Sequence, residues 1–396
     1  MVRTLDDLDV EGAAIGIRVD VNSPLSDGGG LADDARIRAH VGTLSELTDR
    51  GGRVAILAHQ GRPGGDDFET LQSHADRLDE LLDASVSYCE ATFSAEARDA
   101  VRALDSGEAV LLENTRFYSE EYMSFPPEEA ADTFLVSKLA PVLDAYVNDA
   151  FAAAHRSQPS LVGFPQRLPA YAGRVMEREL DVLGTIESTP VPRVYVLGGA
   201  KVEDAIDVAR SVLERGLADA VLTAGVVGNA FLLADGVALG AASAAVVNER
   251  SHEAVREAGD LLDDYSHRIY TPRDVAIERG GERVELGLDE LPAETPAMDI
   301  GARTVAAYAD ILEDAGTAIL NGPAGVFEDD RFETGTRELY LAATRAEWSI
   351  VGGGDTAAAL RQLGVEGFDH VSTGGGAALR MLTGEPLPAV EVLEDA

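Results

Sequence analysis

The chain has 396 residues, enough for two or three domains, and carries 70 acidic against 32 basic residues for a net charge of −38. Such a surface repels phosphate backbones and anionic lipid, so neither nucleic acid nor a membrane is expected as a partner. The acids are dispersed between apolar segments rather than gathered in a tail, which excludes a disordered polyacidic chain.

The opening MVRTLDDLDVEG is charged where a secretory leader needs an apolar core, so a cytoplasmic setting is expected. Short β-branched runs then predict strands at 15–21, 53–59, 109–117 and 145–151, while 33–49 and 128–140 have helical spacing. Residues 170–187, bounded by Pro169 and by Pro190 and Pro192, predict a helix that connects two halves. The second half opens with a strand at 193–199 and continues with strands at 219–224, 268–271, 317–320, 347–351 and 368–371. Helical spacing marks 203–215, 303–314 and 355–363. From Ala220 to Val247 the sole charge is Asp235, but Gly225, Gly228, Asn229, Gly236 and Gly240 interrupt the run. It therefore predicts a buried strand, loop and helix rather than a membrane span. Strands alternating with helices in this way predict an α/β protein of two lobes, each a parallel sheet covered on both faces.

Ligands of open α/β sheets bind beyond the carboxyl ends of strands. In the first half those positions are polar and basic: Asp20 and Asn22, then His59 and Arg62, then Arg116, then Arg156, with Arg36 opening the first helix. Guanidinium forks match phosphate and carboxylate oxygens, so the set predicts a site for a multiply charged anion. Each arginine read alone is a solvated charge or half of an ion pair; it is their joint placement that points to a site. Asp20 has two readings, a partner for a substrate hydroxyl or an orienter of an arginine.

The second half offers glycine instead. LGGAK, VGGGDT and STGGGA each follow a strand and lead into a helix, where backbone can approach a ligand and free N–H groups face phosphate. None is a Walker loop and none is GxGxxG, which counts against a nicotinamide-dependent dehydrogenase. Only Lys138 and Lys201 are lysines, so a lysine kept directly after Gly198-Gly199-Ala200 suggests contact with a phosphoryl group. Asp355, after three glycines, can hold Mg²⁺ through nucleotide phosphates, cap a helix, or do both. The lysine-poor, acid-rich composition predicts a protein adapted to high salt. The lone Cys89 excludes an intrachain disulfide.

RVDVNSPL, AHQGRP, LLENTRF, YVNDAFAAAHR, GGAKVEDAI, NGPAGVFE, GGGDT and STGGGA, in this order and across almost the whole chain, resemble phosphoglycerate kinase. The resemblance implies two Rossmann-like three-layer domains, 1–170 for 3-phosphoglycerate and 188–372 for nucleotide. A helix at 171–187 would join them, and the tail from about 373 to 396 would return to the first. It implies that Asp20, Asn22, Arg36, His59, Arg62, Arg116 and Arg156 contact 3-phosphoglycerate or 1,3-bisphosphoglycerate. Lys201, Asn321, Glu328, Gly353, Gly354, Asp355 and Thr356 would contact Mg-ADP or Mg-ATP, with Glu328 on ribose and Gly225 and Gly301 beside adenine.

In the implied reaction both nucleophiles are already ionised, so no general base is needed. Arg36, Lys201 and backbone N–H groups at Gly354 and Gly374 to Gly376 would stabilise the transferring group after the lobes close. A monomer is the expected state. An inactive nucleotide-binding homologue is the alternative. Three departures from the family pattern stand out: Ala205 where a second lysine is usual, Thr223-Ala224-Gly225 for a glycine triplet, and Gln60 for a leucine.

Overall fold

The computed structural model describes residues 2–26 and 30–395, the side chains of Gly354 and Asp355 excepted. The chain forms two compact units, residues 1–181 with 386–396 and residues 182–385.

The first unit is built on strands β1 (Ala14–Arg18), β2 (Arg53–Leu57), β3 (Val86–Cys89), β4 (Ala109–Leu112), β5 (Ala145–Asn148) and β6 (Ala170–Ala172). They form one parallel sheet in the order β3-β4-β2-β1-β5-β6. Every residue of β1 is buried, as expected for a central strand with both faces covered. Along it run α1 (Ala35–Asp49), α2 (Gln72–Leu81), α3 (Ala95–Ala103), α4 (Pro127–Ala131), α5 (Phe134–Leu139), α6 (Pro159–Val162) and α7 (Arg174–Gly184). Ile15, Ile17, Ile37, Leu44, Val54, Ile56, Leu78 and Leu111 meet in its core.

Three expectations are corrected here. The helix predicted over 128–140 is two helices, because Thr133 is extended and its hydroxyl bonds back to the Ala130 carbonyl at 2.7 Å. The strand predicted over 109–117 stops at Leu112, because the Asn114 side chain accepts the Arg116 N–H and folds Thr115–Phe117 into a 3₁₀ turn. The segment 170–187 begins as the edge strand β6 before α7.

The second unit carries β7 (Arg193–Leu197), β8 (Ala220–Thr223), β9 (Ile269–Tyr270), β10 (Asp274–Arg279), β11 (Glu282–Gly287), β12 (Ala297–Ile300), β13 (Thr317–Asn321), β14 (Trp348–Gly352) and β15 (His370–Val371). Its main sheet is parallel, in the order β15-β14-β13-β7-β8-β9. Helices α8 (Val202–Glu214), α9 (Gly225–Ala234), α10 (Ala241–Arg250), α11 (Ala254–Tyr265), α12 (Ala302–Glu313), α13 (Thr334–Ala343), α14 (Gly354–Leu363) and α15 (Gly375–Thr383) flank it.

A separate antiparallel sheet, β11-β10-β12, was not expected. Gly280 and Gly281, both at positive φ, make the two-residue hairpin between β10 and β11. This sheet has its own apolar cluster around Leu232, Val275, Ile277 and Leu286. The apolar stretch 220–247 is β8, α9 and most of α10, and no described helix is long and apolar enough to cross a membrane. The last helix, α16 (Pro388–Glu394), belongs to the first unit, where the Ala389 N–H donates to the Ala154 carbonyl at 3.2 Å. Residues 373–385, including α15, group with the second unit.

Candidate functional site

In the first unit the expected residues lie beyond the carboxyl ends of β1, β2, β4 and β5. Much of the surface pairs arginine with carboxylates: Arg174 bridges Asp6, Glu46 and Glu177, and Arg77 bridges Asp34 and Glu80. Among the described residues, Arg18, Arg62, Arg116 and Arg156 have no carboxylate within ion-pair distance. What sets them apart is that they gather: the charges of Arg18 and Arg62 act on both Arg116 and Arg156, a concentration of positive charge suited to an anion.

Arg18, which the sequence reading missed, sits at the centre. It is fully buried at the end of β1. Its Nε donates to the Ser160 hydroxyl at 3.0 Å, its Nη1 to the Val19 carbonyl, and its Nη2 to His59 Nδ1 at 2.8 Å. The Ser160 hydroxyl in turn donates to buried Glu121 at 2.6 Å, so a carboxylate offsets the buried charge through one hydroxyl. A charged residue inside the otherwise apolar IGIRV was the signal available.

Because His59 Nδ1 accepts from Arg18, its proton resides on Nε2. Burial, then the charges of Arg18, Arg116, Arg156 and Arg36, hold this imidazole well below the ordinary histidine range. It is therefore a neutral N–H donor at physiological pH. Burial also lowers Arg116 to about 10, with the Arg156 and Arg18 charges adding to the effect. Arg116 Nη1 donates to the Gly61 carbonyl at 2.6 Å, while its buried Nε has no partner among the described residues. Arg36 pairs with Asp20, whose Oδ1 accepts the Asn22 N–H at 3.3 Å, and Asn22 Oδ1 accepts the Gly61 N–H at 2.8 Å. Asp20 thus orients an arginine in this structure. The seven expected residues gather at one edge of one sheet.

Gln60, the departure from leucine, is fully buried and satisfied at both ends. Its Oε1 accepts from the Ser23 N–H at 2.9 Å and from His74 Nε2 at 3.1 Å, and its Nε2 donates to the Ser23 and Asp67 carbonyls. It clips the loop after β1 to that after β2. Gln60→Leu strands several buried polar groups, each costing about 1–3 kcal/mol. The expected loss is about 3 kcal/mol in denaturant unfolding; a midpoint equal to the parent's would contradict this account.

In the second unit, Gly198 and Gly199 follow β7 and lie against Gly322 and Pro323, which follow β13. The Gly198 N–H donates to the Asn321 carbonyl at 2.8 Å and the Gly199 N–H to the Pro323 carbonyl at 2.7 Å. A Cβ on Gly198 would stand 2.4 Å from the Pro323 oxygen, so no side chain fits there. Thr356, in the first turn of α14, accepts the Gly322 N–H at 2.8 Å and ties the β13 and β14 loops together.

Lys201, Asn321, Gly353, Thr356 and Gly376 all line one cleft, into which the starts of α8, α14 and α15 lead. Helix starts present N–H groups and a partial positive charge suited to phosphate. Asp204 and Ala205 line the same cleft; the sequence reading did not single out Asp204. Gly225, Gly301 and Glu328 do not line it. Gly225 donates its N–H to the Ala324 carbonyl beside the glycine walls, and Glu328 is exposed on the turn after β13. Gly301 precedes α12, where a Cβ would strike the Asp274 carboxylate that caps the helix, so its smallness has a packing cause. The Asp355 side chain lies outside the described residues, and Gly354, expected to act through its backbone N–H, opens α14. Among those described, no three carboxylate, histidine or cysteine groups converge as a metal cage.

A phosphoglycerate kinase family model matches residues 5–385. The chain is 78% identical to a phosphoglycerate kinase of Natronomonas pharaonis over the full length of both. It is 63% identical to that of Halobacterium salinarum over 99% of each. Among solved structures, phosphoglycerate kinase from Pyrococcus horikoshii OT3 superposes with a TM-score of 0.93 at 43% identity, covering 100% of this chain and 98% of that one. The enzyme from Coxiella burnetii gives 0.83 at 31% identity, covering 100% and 99%.

Proposed function

The chain belongs to the phosphoglycerate kinase family and exchanges a phosphoryl group between 1,3-bisphosphoglycerate and ADP, and we propose that each of its two units carries one substrate. The arginine cup of the first holds the phosphorylated three-carbon acid, and the glycine-walled cleft of the second holds the nucleotide. The observation that carries this reading is the gathering of guanidinium groups without carboxylate partners around a neutral His59 in a chain of net charge −38.

Arg62, Arg116 and Arg156 bind the anionic ends of the substrate, His59 donates through Nε2, and Asp20 and Asn22 take its hydroxyl and carboxyl side. Both nucleophiles are ionised at neutral pH, so positioning and charge stabilisation suffice. Arg36 and Lys201 serve the transferring group, helped by backbone N–H groups at Gly354 and Gly374 to Gly376. Asn321, Gly353 and Thr356 shape the phosphate end of the cleft; Glu328, Gly225 and Gly301 serve ribose and adenine. Asp355 would hold Mg²⁺ carried on the nucleotide phosphates, which would supply charge neutralisation. Transfer requires the two substrates to meet with water excluded. One chain carries both substrate faces, so a monomer in a salt-rich cytoplasm suffices.

Purified protein in molar KCl is expected to form ATP from 1,3-bisphosphoglycerate and Mg-ADP. It should bind 3-phosphoglycerate without nucleotide, through the first unit. Calorimetry that finds no 3-phosphoglycerate binding, or binding untouched by Arg116→Ala, would overturn the assignment of the arginine cup.

A further inference from the structure

One buried pair next to the arginine cup has no place in that scheme. His40, on α1, is 3% exposed, and Asp149, just after β5, is fully buried. His40 Nδ1 meets Asp149 Oδ2 at 2.7 Å, and His40 Nε2 accepts the backbone N–H of Asp20 at 3.1 Å. A nitrogen that accepts carries no proton, so the imidazole proton is on Nδ1 and is donated to Asp149. The other oxygen of Asp149 accepts the Val175 N–H at 2.9 Å and the Met176 N–H at 3.4 Å, at the start of α7. A carboxylate there is favoured by the helix dipole, and it has no freedom to turn.

These contacts form a single directed line. The start of α7 orients Asp149, Asp149 sets the tautomer of His40, and His40 holds the Asp20 backbone. Asp20 in turn pairs with Arg36 and accepts the Asn22 N–H. We propose that Asp149 and His40 are positioning residues for the phosphorylated substrate: fixing the proton on His40 Nδ1 holds Asp20, and through it Arg36 and Asn22, in the geometry that receives the ligand. Neither residue touches the substrate. The proposal rests on the assignment of Asp20 and Arg36 to that substrate.

Asp149→Asn isolates the tautomer. The asparagine Oδ1 still accepts the two N–H groups of α7, so its amide must present a donor to His40. His40 then has to accept at Nδ1 and carry its proton on Nε2, where it faces the Asp20 N–H donor. A buried donor left without its acceptor corresponds to a loss on the order of tenfold to hundredfold in affinity.

The test is calorimetric binding of 3-phosphoglycerate and of Mg-ADP to the full chain in molar KCl, with ¹⁵N NMR of the histidine side chains. In the parent protein His40 is expected to show a protonated Nδ1 and a bare Nε2. Asp149→Asn should reverse that pattern and weaken 3-phosphoglycerate by tenfold or more on the same reasoning, leaving Mg-ADP unchanged. His40→Gln, which can accept and donate at both ends, should retain most of the affinity, and His40→Leu should lose it. A parent His40 protonated on Nε2, or Asp149→Asn and His40→Leu both binding 3-phosphoglycerate like the parent, overturns the proposal. If Asp149→Asn does not fold, the parent tautomer and the Gln and Leu pair still decide. Arg116→Ala, at a residue assigned to the substrate's anionic end, separates the two levels. If it too binds 3-phosphoglycerate normally, the site assignment fails; if it binds weakly while Asp149→Asn does not, only the relay fails.

Discussion

Lys201→Ala is expected to lower kcat about 10²–10³-fold while changing the KM for Mg-ADP far less, the signature of a donor used in the transition state. Lys201 precedes α8 directly and lines the cleft with Asn321, Gly353 and Gly376. Its ammonium is one cation in a cleft that also carries Asp204, so little can compensate for its removal. Arg36→Ala should cost a comparable factor from the other substrate's side. Arg36 is tethered to Asp20 and its side chain is 44% exposed, so it is held at one end and open at the other. Steady-state rates in molar KCl, with both substrates varied, check both variants. A kcat near the parent's in either one removes that residue from the transferring group's environment.

The second large effect concerns salt. With a net charge of −38, the surface repels itself, and the range of that repulsion is set by the Debye length. That length is about 3 Å at 1 M salt and about 8 Å at 0.15 M, which extends repulsion from nearest neighbours to the next shell of carboxylates. The ion pairs show how far the protein has gone to contain it. Arg174 serves three carboxylates, and Arg256 also serves three, Glu253, Glu257 and Asp260. A guanidinium fork can reach several acids at once, which an ammonium does less well, and this accounts for the preference for arginine. Moving from molar KCl to 0.1 M is expected to remove several kcal/mol of stability. At about 2–4 °C per kcal/mol for units of this size, the melting temperature should fall by on the order of 10–20 °C. A melting temperature independent of salt over that range would show that the acidic surface is stable without screening.

Much of the architecture could be read from the chain because buried parallel strands are nearly continuous apolar runs. The places where the reading overran are informative. The strands predicted to reach 21, 59, 117 and 151 end at Arg18, Leu57, Leu112 and Asn148. Past those ends lie Asp20, His59, Asn114 and Asp149 among others, and the Asn114 side chain bonds loop backbone by accepting the Arg116 N–H. Expected site and strand ending were one signal seen twice.

Other features needed coordinates. The β10–β11 hairpin had its Gly280-Gly281 mark, but β11 alternates weakly, with exposed Glu282 and Glu285 around half-buried Arg283 and Val284. Arg18 went unread because its role depends on burial against His59, which only the fold shows. Gln60 looked like an anomaly until Ser23, Asp67 and His74 appeared around it. His40 and Asp149 are 109 positions apart, a separation no local pattern can bridge.

The glycine walls of the cleft proposed for nucleotide have a consequence for how the molecule is made. They come from adjacent strands of the sheet, paired Leu197 to Asn321, yet these are far apart along the chain. Neither wall exists by itself, since each is held by the backbone of the other. Joining such remote segments is slow compared with forming local hairpins and helices. On the proposed assignment a nucleotide can bind only once β7 and β13 are paired, and the onset of Mg-ADP binding during refolding should serve as a clock for that pairing.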